Sequence, residues 1–181
     1  MSLGFGDKAT FQLCRTQRWL DRLGAICGGE YRPLGTWDDP LDYVLAFYLN
    51  CYHVKDWLKR DPKWQEDVPK KLKSAAVEQF INETEALCIC ADLCNGNKHF
   101  RLRRAPRSGS SPEFLGEHTR IDHTTEPAVT SRRYSLKTAR GRVDAYELAV
   151  ECLQAWRRLV RESTPDSLKQ LADRNKRDRT G

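Results

Sequence analysis

Residues 82–104 read Asn-Glu-Thr-Glu-Ala-Leu-Cys-Ile-Cys-Ala-Asp-Leu-Cys-Asn-Gly-Asn-Lys-His-Phe-Arg-Leu-Arg-Arg. Asn82 with Glu85 three residues later forms a capping pattern that starts a helix. Ala86, Leu87, Cys88, Ile89, Cys90, Ala91, Leu93 and Cys94 are apolar on nearly every side, the composition of a helix inside a bundle. Asp92, Asn95 and His99 interrupt that surface. Their offsets of three, four and seven place them on one face. Buried polar groups cost free energy unless each is paired, so this stripe needs partners from elsewhere in the chain.

Asp39-Pro40 predicts a second helix to about Arg60, with Asp as N-cap and Pro at the first helical position. Val44, Phe47, Tyr48, Cys51, Val54 and Leu58 form its core face. Asn50, His53, Asp56 and Trp57 form a second face, so this helix also carries an amide, imidazole and carboxylate stripe. If the two helices pack antiparallel, Asn50, His53, Asp56 and Asp92 can join one buried hydrogen-bond network. Two His and two Asp on facing helices could also hold a divalent ion. The Glu-x-x-His repeats of di-iron bundles are absent, and a structural network is the expected use.

The remaining elements follow the same logic. Thr10 to about Ile26 has helical periodicity and ends at Gly28-Gly29. A shorter helix ends near Phe80. Thr119–His123 and Arg132–Thr138 alternate as strands. Asp144 with Glu147 opens a clear amphipathic helix to about Arg161. The expected fold is mainly α: a bundle of about five helices with a small inserted β-hairpin near 119–138. One domain is expected over 1–163, followed by a polar, basic C-terminal tail over 164–181 that reads either as a frayed helix or as disorder.

Ten of the 31 basic residues lie in two stretches without acids, 98–107 and 132–142. The other 21 are outnumbered by 25 acidic residues, so the net +6 is a local property. Concentrated positive charge fits a polyanion, RNA or DNA first. It also fits a solvated basic loop beside a solvated basic strand. No apolar run has transmembrane length, and the first ten residues lack a signal-peptide core. A cytoplasmic protein with no membrane partner is expected. Seven cysteines, an odd number and several in apolar helical contexts, suit reduced thiols better than a disulfide framework. No Cys-x-x-Cys pair exists, so they read as small buried hydrophobes. No metal and no cofactor are expected.

Cys94-Asn95-Gly96-Asn97-Lys98-His99-Phe100 resembles the motif of the HEPN superfamily, helical bundles of RNA-cleaving toxins and host-defence proteins. Asn95 and His99 match that family's polar residue and His. Cys94 stands where the family has Arg. The resemblance covers residues 10–162 as architecture. It implies a metal-independent endoribonuclease, or a degenerate RNA-binding relative, acting as a homodimer. His99 would be the base, Asn95 its neighbour, and Lys98 or Arg101 the phosphate-holding cation in place of the family's Arg. A Lys there lacks the guanidinium fork. Arg101, Arg103, Arg104, Arg132, Arg133 and Lys137 would bind the nucleic acid. The rival expectation is a non-catalytic protein-interaction or dimerisation module whose polar stripes are structural.

Overall fold

The computed structural model describes residues 8–30, 39–98, 105–125 and 128–180, except the side chains of 97–98 and 179–180. Six helices and three strands follow in chain order: α1 (Lys8–Gly28), α2 (Pro40–Arg60), α3 (Lys70–Asn82), α4 (Glu85–Lys98), β1 (Glu113–Asp122), β2 (Val129–Thr138), β3 (Gly141–Asp144), α5 (Ala145–Glu162) and α6 (Pro165–Thr180). The protein is mainly α, with a helical bundle and a small antiparallel sheet inserted before α5. No helix among the described residues is long and apolar enough to cross a membrane.

The central helix is α2, which packs against α1, α3, α4 and α5. Its start is the expected one: the Asp39 side chain accepts from Leu41 N–H at 2.8 Å, and Pro40 is the first helical residue. Val44, Phe47, Tyr48, Cys51, Val54 and Leu58 are buried. The Tyr48 hydroxyl donates to the Ala145 carbonyl at 2.7 Å, which joins the middle of α2 to the start of α5. Asp61, buried at the end of α2, accepts from Ala9 N–H at 2.7 Å. It thereby satisfies an otherwise unpaired donor in the first turn of α1.

One helix boundary differs from the expectation. Asn82 ends α3, and α4 begins at Glu85 after Thr84, whose carbonyl accepts from Leu87 and Cys88. The Asn82 side chain instead accepts from Arg107 at 3.0 Å. Within the polar, basic C-terminal segment, residues 165–180 form the helix α6. Leu168, Leu171, Ala172 and Asn175 recur at helical spacing and are buried against α3. That stripe is narrow, and the polar composition around it masks the helix.

The sheet has the order β1-β2-β3. β1 starts at Glu113, earlier than the hairpin spacing suggested, and bulges at Leu115, where Phe114 pairs with Leu136 and Gly116 with Ser135. β2 anchors the sheet through buried Tyr134 and Leu136. Gly29, at φ +83°, ends α1 and packs directly on Val129 and Thr130. Only a residue without a Cβ fits both that backbone and that contact.

Candidate functional site

The expected catalytic group falls largely outside the described residues. That is true of His99 and of the Lys98 side chain, and of Arg101, Arg103 and Arg104. Asn95 is half-buried on α4. Cys94, at the position where the HEPN motif has Arg, is 1% exposed and donates its thiol to the Tyr48 carbonyl at 3.1 Å. A side chain there points into the bundle.

The polar stripes take separate partners. Cys94 and Cys90 both reach Tyr48, while Cys90 also lies beside Cys51, the pattern of antiparallel helices. In that arrangement His53 and Asp56 lie toward the start of α4 and Asn95 toward the start of α2. The stripes overlap only near Asn50 and Asp92, which do not bond one another. The Asn50 side-chain amide donates to the Ala46 carbonyl in its own helix at 2.8 Å, and the Asn50 main-chain carbonyl accepts from the Gln12 side chain of α1 at 2.8 Å. Asp92, 3% exposed, accepts from Arg107 N–H at 2.9 Å and from Ser108 N–H and hydroxyl at 2.7 Å each. Asp92 thus satisfies itself by fastening the loop after α4. His53 is exposed and Asp56 half-buried.

Much of the second basic stretch is neutralised locally. Arg132 lies 3.4 Å from Glu117. Arg133 lies 3.4 Å from Asp144 and 3.7 Å from Glu147. Arg140 makes paired 3.0 Å bonds to both oxygens of Glu151. Arg107, from the first stretch, pairs with Glu78 at 2.8 Å. Exposed ion pairs contribute little stability, but they reduce the charge offered to a polyanion. Lys137 and Arg142 stand directly opposite each other on β2 and β3. Both are exposed, and Arg142 lies 2.7 Å from the His118 ring. Because Arg142 can only donate, that contact makes the His118 Nε2 an acceptor.

Sequence reading did not single out β1 as a surface. Nine of its ten residues are exposed. Its inner edge pairs with β2, and its outer edge has no strand beside it among the described residues. Phe114, Leu115 and Ile121 are 37%, 49% and 52% exposed. The periodicity of residues 113–122 reports a strand but not its place at the edge. β3, the opposite edge, is only four residues long. A long uncovered edge presents unpaired N–H and C=O groups that can template another strand. No family model, curated protein or solved structure matches this chain.

Proposed function

We propose that this protein is a non-catalytic interaction module that self-associates by pairing the outer edge of β1 with β1 of a second copy. The observation that carries this reading is the uncovered outer edge of β1, a ten-residue strand on which Phe114, Leu115 and Ile121 are exposed. Main-chain hydrogen bonds would supply the pairing and side chains the register.

The side chains favour a second copy. A two-fold, antiparallel pair keeps each residue on the same face of the joined sheet, so the axis must pass through one residue position. Centring on Glu117 or Arg120 would set like charges directly opposite, which is destabilising. Centring on His118 avoids that repulsion and brings Ile121 of each copy to the end of the joined strands where the Leu115 bulge of the other lies, so apolar surface is covered at both ends. Sedimentation velocity across a concentration series tests the reading. The protein should form a dimer that Ile121→Lys or Leu115→Lys returns to a folded monomer, with the same circular dichroism spectrum as the wild type and a melting temperature that no longer rises with concentration. A wild-type protein that stays monomeric at high concentration would sink it.

A second reading, binding of an RNA backbone without cleavage, is favoured by Lys137 and Arg142. Lys137 stands between Arg142 on β3 and Glu113 on β1, so the row carries a net positive charge that a bound phosphate would complement. In terms of the HEPN resemblance, this is the degenerate RNA-binding form. The buried Cys94 argues for binding over cleavage, because no cation stands at the family's Arg position.

A further inference from the structure

Three helices bring three sulfurs together at the centre of the bundle. Cys51 of α2, Cys90 of α4 and Cys152 of α5 have sulfur atoms all within 4.8 Å of one another, and each residue is fully buried. They are 39 and 62 residues apart in sequence, so no local motif announces them. Among the described residues, no His, Asp or Glu joins the group. All seven cysteines are free thiols.

We infer that Cys51, Cys90 and Cys152 form a three-coordinate, all-sulfur site for a thiophilic metal ion, with Cu(I) the ion that fits the donor set best. Thiolates select soft ions over hard ones, which require oxygen donors. An ion at the centre of a sulfur triangle of that limiting size would sit roughly 2.8 Å from each donor. Metal–thiolate bonds are about 2.3 Å, so each sulfur need move inward by only about half an ångström. Zinc in a structural site takes four ligands, and the cluster supplies three. Cys94, also on α4, lies outside the group of sulfurs that are mutually within 4.8 Å. The Cys90 and Cys152 thiols donate to the Tyr48 and Ala86 carbonyls at 3.6 and 3.2 Å, bonds they would give up on binding as thiolates.

A second observation points to the same place. The Trp156 indole N–H is fully buried and has no hydrogen-bond partner of normal geometry. It sits one turn beyond Cys152 on α5, on the same buried face of that helix. Buried donors are almost always paired. A metal-bound thiolate is a far better acceptor than a neutral thiol, and N–H donors to ligating sulfur commonly tune such sites. Each thiol that binds as thiolate releases its proton to solvent.

The test uses the full chain, reduced and under argon, with Cu(I) supplied as its bicinchoninate complex. After desalting, the wild type should retain about one copper per chain. It should also show thiolate-to-copper charge-transfer absorption and a raised melting temperature. Cys51→Ala and Cys152→Ala should retain less than about a tenth of that, whereas Cys14→Ser, which alters an exposed thiol, should bind as the wild type does. If the core variants fail to fold, copper X-ray absorption on the wild type decides, with three sulfur neighbours and no nitrogen or oxygen expected. No retained copper, equal retention by folded Cys51→Ala, or an intact-mass loss of two hydrogens from a disulfide among the three would each overturn the inference. Preferential retention of Zn(II) in a parallel arm would overturn the choice of Cu(I).

Discussion

Ser108 donates both its main-chain N–H and its hydroxyl to the same oxygen of Asp92, each at 2.7 Å. With Arg107 N–H on the other oxygen, the carboxylate is fully engaged. Such charge-assisted bonds are about twice as strong as neutral ones. Asp92→Ala should therefore cost about 2–4 kcal/mol, because it leaves buried donors unpaired. Ser108→Ala should cost about 1 kcal/mol. Hydrogen exchange checks the assignment. Amides 107 and 108 should lose protection in Asp92→Ala, while those of α2 between 44 and 54 keep it until global unfolding.

Glu78 links α3 to α2 and to the loop through Lys59 and Arg107. Burial alone would raise its pKa, but hydrogen bonds and charge from those two cations prevail and hold it down from 4.5 to about 2. A depressed carboxylate stabilises the fold above its unfolded pKa, and that contribution fades as pH falls through the folded value. Stability should thus drop between about pH 4.5 and pH 2, by about 1–2 kcal/mol after allowance for partial exposure. Glu78→Gln should flatten that part of the profile and lower stability at neutral pH. Urea melts at a series of pH values measure both. A Gln variant with the wild-type acid slope would assign the slope to other groups.

The last helix separates packing from surface charge. Leu168 is fully buried against the bundle. Leu168→Ala should cost about 2–5 kcal/mol. Arg174, paired with Glu83 at 2.6 Å but half-exposed, should cost less than about 1 kcal/mol as Ala. Equal losses in thermal melts would contradict the packing of α6 on α3.

For RNA, the expected signature is electrostatic. Lys137→Gln with Arg142→Gln should weaken binding of single-stranded RNA similarly across sequences. It should also reduce the slope of log affinity against log salt by about 1–2. Arg132→Gln and Arg140→Gln, whose partners are Glu117 and Glu151, should change it less. Fluorescence anisotropy at several salt concentrations reads the slope. Salt-independent binding would count against the RNA reading.

Local chemistry was enough to place most elements. Asp39-Pro40 and Asp144 with Glu147 act through bonds to the next few residues, so their helix starts are written in the sequence. The apolar runs around Cys51, Cys90 and Leu153 likewise announce core helices, because periodicity depends only on the residues of one helix. Other features depend on which elements become neighbours. Asp92 reads as half of a stripe facing α2, yet its partners come from 107–108, because the loop returns across α4. Arg132, Arg133 and Arg140 read as a positive run, yet β1, β3, α4 and α5 bring acids to them. Leu168, Leu171 and Ala172 look sparse until α3 supplies the facing surface. Three cysteines on three helices become one cluster only when α2, α4 and α5 close on each other. Sequence spacing carries helix caps and faces, since those are short-range; which faces meet, and which edge stays open, is settled by burial of the whole chain at once.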